Sequence, residues 1–261
     1  VNIIAGPCQH ETLEQSFDIA RHCKMIAEKY GYNYYFKASF DKANRTSFSS
    51  ARGQGIQTSL EDFASLKKEI NVKILTDVHE TGQVDWIEKH HPDVIDVYQI
   101  PAFLCRQTDL IRSVVESGKI INIKKGQFLA PWDVQGIMTK TKGAKNVWIT
   151  ERGTSFGYNR LIVDFSGILY LLDTYGDRLV YDATHSVQEP GGAGFSSGGN
   201  RMYVPPMCRA ASALGVTNFF IETHPNPDDA PSDGANMVNL LQFESVIKQI
   251  YDYSYTNTSK T

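Results

Sequence analysis

Residues Ser59–Glu80 read SLEDFASLKKEINVKILTDVHE, and the apolar period changes partway through. Leu60, Phe63, Leu66 and Ile70 recur at spacings of three and four, which lines one face of a helix over Ser59–Ile70. Ser59, with Asp62 three residues on, reads as close to a capping box. Lys73–Asp77 then forms a short β-rich run, and the segment ends in polar residues, Asp77-Val78-His79-Glu80.

The same succession of helix, strand and polar strand end recurs along the chain. Strands are expected at Asn2–Ala5, Asn33–Ala38, Lys73–Asp77, Val94–Tyr98, Ile120–Lys124, Val147–Thr150, Leu179–Asp182 and Asn218–Glu222. Helices are expected at Leu13–Tyr30, with Thr12 as cap, and at Ser59–Ile70, Gly82–His91, Asp109–Ser117, Val134–Thr141, Val163–Thr174, Arg201–Leu214 and Met237–Tyr253. Such alternation implies a parallel sheet, because parallel strands need a crossover and a helix is the usual one. About eight units favour a closed α/β barrel, the (β/α)8 TIM barrel, over an open doubly wound sheet. A length of 261 residues suits one such domain over residues 1–261, since these barrels typically take about 250 residues.

Composition narrows the function. Hydrophobic residues at 41% and charged residues at 21% are globular values and argue against disorder. No apolar run approaches the roughly 20 residues of a membrane helix, and the start, VNIIAGPCQHE, lacks the basic and apolar regions of a signal peptide. Cys8, Cys23, Cys105 and Cys208 contain no CxxC pair, so free thiols and a cytoplasmic setting are expected. A net charge of -3 gives no case for nucleic acid or a membrane surface as partner. An anionic small molecule would have to meet a local basic cluster. The glycine-rich Gly191–Asn200 reads as a mobile loop, and Tyr253–Thr261 as a polar tail.

In a (β/α) barrel the site lies at the carboxyl ends of the strands, and the unusual residues collect there. Lys37 and Lys124 stand near strand ends, with Lys42, Arg45, Arg106 and Arg152 in the loops beyond. Taken singly, each reads as a solvated surface charge. Several on one rim suit phosphates or carboxylates, which arginine grips in bidentate fashion and lysine as a point charge. There is no GxxxxGK[ST] loop and no GxGxxG after a strand, so nucleotides are not expected. Cys8, His185, Glu222 and Asp233 form a second group. The first, seventh and eighth strands of a barrel are neighbours, so these four could build a mixed site for zinc, iron or manganese. They could equally be a buried thiol, a proton carrier and structural ion-pair partners.

Eight ordered blocks carry a resemblance. IAGPC, KASFDKANRTS, TDVHE, QIPAFLCRQTDL, NIKKGQF, ERGTSFGYN, YDATHSVQ and ETHPNP follow one another from Ile4 towards Asp233, covering nearly the whole chain. Together they resemble 3-deoxy-D-manno-octulosonate 8-phosphate synthase, and its metal-dependent branch, in which cysteine follows the first strand. The resemblance implies a cytoplasmic, homotetrameric barrel enzyme. It would condense phosphoenolpyruvate with arabinose 5-phosphate and water for lipopolysaccharide assembly. It implies one divalent metal ion per subunit (zinc, iron, manganese or cobalt) on Cys8, His185, Glu222 and Asp233. Phosphoenolpyruvate would be held by Lys37, Lys42, Gln99, Ala102, Lys124 and Arg152. The sugar phosphate would be held by Asn44, Arg45 and Ser47, with Arg106 supplied by a neighbouring subunit. Asp77 would contact sugar hydroxyls or a metal-bound water, so that Lys37, Lys42, Asp77, Lys124 and His185 form the catalytic set.

Thr46 in place of serine and the segment Asp173–Arg178 depart from the family pattern without touching this set. The nearest rivals are the related synthases that use erythrose 4-phosphate or make sialic acids; KANR after the second strand favours the pentose phosphate. A metallohydrolase barrel would need histidine pairs, and neither HxH nor HExxH occurs. A non-catalytic sugar-phosphate sensor would tolerate loss of these residues, and none is lost.

Overall fold

The structure, a computed structural model, describes residues 1–43, 52–155, 160–192 and 197–258. Its frame is a closed ring of parallel strands: β1 (Asn2–Gly6), β2 (Asn33–Lys37), β3 (Lys73–Asp77), β4 (Val97–Ile100), β5 (Ile120–Lys124), β6 (Val147–Glu151), β7 (Leu179–Asp182) and β8 (Asn218–His224). Each strand pairs with the next, and β8 returns to β1 with Asn2 opposite Asn218 and Gly6 opposite Glu222. The helices α1 (Leu13–Lys29), α2 (Ile56–Ile70), α3 (Thr81–His90), α4 (Thr108–Glu116), α5 (Val134–Lys140), α6 (Phe165–Tyr175), α7 (Val204–Ala213) and α8 (Phe243–Thr258) make the crossovers and the outer ring. This is the (β/α)8 barrel expected from the alternation.

Successive strand residues point to opposite faces, and the sequence uses this to build two cores. Ile3, Phe36, Ile74, Tyr98, Ile121, Ile149, Tyr181 and Phe219 point outward and pack with the helices. Ile4, Tyr35, Leu75, Val97, Trp148, Val180 and Phe220 fill the barrel interior as a separate buried cluster. Two residues further along each strand, the inward positions become polar: Lys37, Asp77, Gln99, Thr150, Asp182 and Glu222, all buried. An apolar plug therefore closes the barrel floor, and a polar layer lies on it at the carboxyl ends. The strands β1 and β2 approach closely there. A Cβ on Gly6 would lie 2.1 Å from the Lys37 carbonyl oxygen, so only glycine fits.

Several boundaries differ from the sequence reading for local reasons. The fourth strand begins at Val97 rather than Val94; Asp96 instead uses its carboxylate to accept from the Ile74 amide at 2.8 Å and from Lys67 Nζ at 2.8 Å. The helix α2 starts at Ile56 behind Gly55 at φ +83°, so Ser59 is not a cap. Asp62 turns instead to His10 Nε2 at 2.8 Å. Met237–Gln242 is not helical throughout: Val238–Asn239 runs alongside the end of β8, and a single turn, Leu240–Gln242, leads into α8. Thr12 caps α1 as expected, accepting from the Gln15 amide at 3.2 Å. Part of the glycine-rich segment is ordered as a hairpin, with Gln188–Glu189 antiparallel to Gly198–Gly199.

Candidate active site

The polar layer opens into a cavity of about 720 Å³ at the carboxyl ends of the strands. Lys37, at the end of β2, lies at its base. Its Nζ donates to Glu222 Oε1 at 2.8 Å and to the Cys8 carbonyl at 2.9 Å, and lies 3.8 Å from Asp77 Oδ2. Burial opposes its charge, but Glu222, Cys8 and Asp77 outweigh burial and raise its pKa, so Lys37 stays an ammonium. Asp77 accepts from Ser39 Oγ and Gln99 Nε2 and has Lys42 Nζ at 3.8 Å. Burial pushes its pKa up, yet Lys37 and Lys42 prevail and hold it well below the usual carboxylate range.

On the opposite wall Asp182, at the end of β7, gathers several donors. It accepts from Lys124 Nζ at 2.6 Å, from His185 Nδ1 at 2.8 Å, and from the Thr184 and His185 amides at 3.1 and 2.9 Å. Burial works against its charge, but His185 and Lys124 hold its pKa far below the ordinary value. An ionised Asp182 can only accept, so His185 Nδ1 is the donor of that bond and Nε2 is the ring nitrogen turned towards Glu222 and Asp233. Lys124 is affected in the opposite direction. Burial lowers it to about 8 despite Asp182, and its Nζ lies over the Phe220 ring. The net shift of Lys124 is thus opposite in direction to that of Lys37.

His185 Nε2 faces Glu222 Oε2 and Asp233 Oδ2, each at 3.9 Å. Cys8 Sγ is 3.2 Å from Asp233 Oδ2, and the ligand atoms of Cys8, Glu222 and Asp233 lie within 4.8 Å of one another. Glu222 Oε2 is buried and has no hydrogen-bond partner among the described residues, an arrangement that costs free energy unless something cationic meets it. Burial first, and then the charge of Glu222, push the Cys8 thiol up to about 12, so as a thiol it donates to Asp233. A divalent cation would displace that proton outright. Asp233 adopts φ +54°, a conformation uncommon for a residue other than glycine. One sulfur, one imidazole nitrogen with its tautomer fixed by a carboxylate, and two carboxylates suit zinc or a similar ion.

The cavity thus brings together most of the residues singled out from the sequence. Lys37, Lys42, Asp77, Gln99, Ala102, Lys124, Arg152, His185, Glu222 and Asp233 all line it, with Cys8 directly behind Asp233. Arg152 is buried, its Nη1 on Gln127 Oε1 at 2.6 Å and its Nη2 on Gln188 Oε1 at 3.2 Å. Arg106 is not among the residues lining this cavity. It is exposed on the loop before α4, where its carbonyl accepts from Lys140 Nζ at 2.6 Å. Asn44, Arg45 and Ser47 lie outside the described residues.

The sequence places Asp182, Ser39 and Gln127 at or just after strand ends but gives neither them nor Gln188 a role of their own. A signal existed for Asp182, which ends a strand three residues before a histidine. The roles of the other three come from contacts across loops, which their positions in the sequence do not reveal.

A family model described as the DAHP synthetase I family matches residues 1–256. A protein of Bradyrhizobium diazoefficiens is 50% identical over 252 residues, covering 96% of this chain and 88% of its own. One from Rhodopseudomonas palustris is 49% identical over 255 residues, covering 97% and 88%. One from Chelativorans is 49% identical over 260 residues, covering 99% and 92%. All three are named 2-dehydro-3-deoxyphosphooctonate aldolase.

Proposed function

The chain belongs to the DAHP synthetase I family and is close to the 2-dehydro-3-deoxyphosphooctonate aldolases, and from that membership we infer its reaction. It is a 3-deoxy-8-phosphooctulonate synthase, a transferase that condenses phosphoenolpyruvate with D-arabinose 5-phosphate and water. The products are 3-deoxy-D-manno-octulosonate 8-phosphate, for lipopolysaccharide biosynthesis, and inorganic phosphate. The observation that carries the reading is the convergence of buried Lys37, Lys124 and Arg152 with Cys8, His185, Glu222 and Asp233 on one cavity.

The chemistry sets what the site must do. The phosphoenolpyruvate methylene carbon attacks the sugar aldehyde carbon. Positive charge develops on the former enol carbon, water adds there, and phosphate leaves with cleavage of its carbon–oxygen bond. Two anions must be held in near-attack geometry. Lys37, Lys42, Gln99, Ala102, Lys124 and Arg152 grip phosphoenolpyruvate, and the buried positions of Lys37, Lys124 and Arg152 keep those charges strong in a poorly solvated mouth. Lys124, with its pKa near 8, can hand a proton to the aldehyde oxygen as it becomes a hydroxyl. Asp77, ionised and fixed by Ser39 and Gln99, orients sugar hydroxyls. Asn44, Arg45 and Ser47 take the sugar phosphate.

Cys8, His185, Glu222 and Asp233 hold one divalent cation per subunit; zinc, iron, manganese and cobalt all suit the donor set. Bound there, the ion supplies a positive centre that orients the sugar and a water. Glu222 Oε2, buried without a hydrogen-bond partner among the described residues, supports this assignment.

The working form is a homotetramer in which Arg106 reaches a neighbouring subunit's sugar phosphate. Phe103, three residues before Arg106, and Phe128 and Trp132 are exposed at 57%, 39% and 62%, apolar side chains of the kind a second copy of the chain could cover. The setting is the cytoplasm, in keeping with four free, buried cysteines. Among the described residues no helix is long and apolar enough to cross a membrane.

A phosphate-release assay with each aldehyde tests the assignment. Arabinose 5-phosphate should support turnover and erythrose 4-phosphate should not. The reverse result transfers the chain to the erythrose 4-phosphate synthases, and binding without turnover in the presence of metal makes it a sensor.

A further inference from the structure

Gln188 is buried just beyond β7, and its amide spans two parts of the site. Its Oε1 accepts from Arg152 Nη2 at 3.2 Å, and its Nε2 donates to Asp233 Oδ1 at 2.7 Å. These contacts settle the amide's orientation. A guanidinium offers only donors and an ionised carboxylate only acceptors, so a flipped amide would set like against like on both sides. The backbone is held as well: the Gln188 carbonyl accepts from the Leu161 amide at 3.0 Å, and Gln188 pairs with Gly199.

The two ends of the amide divide the work of their partners. Asp233 Oδ1 is committed to Gln188, which leaves Oδ2 facing Cys8 and His185. Arg152 is held by Gln127 on one arm and Gln188 on the other, and among the described residues its remaining donors have no hydrogen-bond partner that would bar an anion. An anion that draws Nη2 away would strip a buried amide oxygen of its donor, and the amide would have to reorient at the expense of its bond to Asp233. We propose that Gln188 is a positioning residue that ties the anion site at Arg152 to the cation cradle at Asp233, so that occupancy of either changes the affinity of the other. The proposal rests on the functional reading above, which makes Arg152 a phosphoenolpyruvate ligand and Asp233 a metal ligand. Such coupling is necessarily reciprocal.

The test is Co²⁺ binding to the metal-stripped full chain, followed by thiolate absorption and calorimetry, with and without saturating phosphoenolpyruvate. In the unmodified protein phosphoenolpyruvate should shift the Co²⁺ dissociation constant by about fivefold or more. Gln188→Met keeps the side-chain volume but offers neither bond; it should bind Co²⁺ roughly 10- to 100-fold more weakly and lose the phosphoenolpyruvate-dependent shift. Gln188→Asn, too short to reach both partners, should also lose the shift and serves if the Met variant fails to fold by circular dichroism. Gln127→Met loosens Arg152 without touching Asp233 and should leave Co²⁺ affinity alone unchanged. A Gln188 variant with the original Co²⁺ affinity or with the shift retained overturns the proposal, as does an unmodified protein that binds both ligands without coupling. An unmodified protein that binds neither Co²⁺ nor phosphoenolpyruvate overturns the functional reading itself, which is a separate and recognisable outcome.

Discussion

Lys37 Nζ lies 2.8 Å from Glu222 Oε1, with both side chains essentially excluded from solvent. The two residues are 185 positions apart in the chain, and closure of the barrel at β1 brings their strands to either side of Gly6. The pair joins the anion-binding wall to the candidate cation cradle, because the second oxygen of Glu222 faces His185. Lys37→Met would leave Glu222 buried without its main counter-charge. Breaking such a pair costs about 3–5 kcal/mol. Urea denaturation of the metal-stripped protein should show a loss of this order, and phosphate release should become undetectable. A loss below about 1 kcal/mol, the value of an ordinary exposed pair, would mean that the pair is far better hydrated than its burial indicates.

Lys124 gives a pH prediction of definite sign. Its folded pKa, near 8, is below the ordinary lysine value of 10.5 because burial outweighs Asp182. Between those values the unfolded chain binds the proton and the folded chain does not, so this group makes stability rise with pH over that interval. Phosphoenolpyruvate capture should move the other way, since the ammonium that grips it is lost above about 8. A plot of kcat/KM for phosphoenolpyruvate against pH should bend downward there, and Lys124→Arg, which keeps its charge, should remove the bend. A bend at the same pH in the arginine variant would assign it to another group.

How much of this could be read from the sequence depends on the range of the interaction. The strand-end residues Lys37, Asp77, Lys124 and Glu222 were legible because strand period and strand polarity together place them on one rim. The start of the last helix was not, because Met237–Gln242 carries an apolar pattern that pairing with β8 claims first. Asp62 was misread as part of a cap because its partner, His10, lies 52 residues away in the loop after β1. The roles of Gln188 and Ser39 were hidden for the same reason: neither residue type announces a role, and only loops meeting over the barrel mouth create one.

The candidate cradle predicts a response to metal removal. The Cys8 thiol, pushed up to about 12 by burial and neighbouring carboxylates, ionises only when an ion is bound. Stripping the protein with a strong chelator should abolish activity, and zinc, manganese or cobalt should restore it, with about one ion per chain by elemental analysis. Cys8→Asn should lose most of that binding yet retain some metal-free turnover, because an asparagine amide, a stronger donor than the thiol, can hold Asp233 in place where the stripped unmodified cradle has only the thiol. Full activity in the verified absence of metal would remove the ion from the reaction, and a folded but inert Cys8→Asn variant would make the cysteine itself indispensable.

Arg106 offers a test of the proposed assembly. It is exposed and is not among the described residues that line the cavity, which fits the proposed contribution to another subunit's site. Arg106→Ala should raise KM for arabinose 5-phosphate by roughly 10-fold or more, the loss of a charge-assisted hydrogen bond worth about 1.5–3 kcal/mol, while KM for phosphoenolpyruvate stays within about twofold. Light scattering on the same samples should report a tetramer for both proteins, which shows that the effect is not dissociation. Mixing this variant with a Lys37→Met chain should restore part of the activity, because some sites in the mixed tetramer then combine an intact lysine with a neighbour's intact arginine. An unchanged KM for the sugar, or mixed tetramers with no recovered activity, would confine the site to a single chain and leave Arg106 as a surface residue.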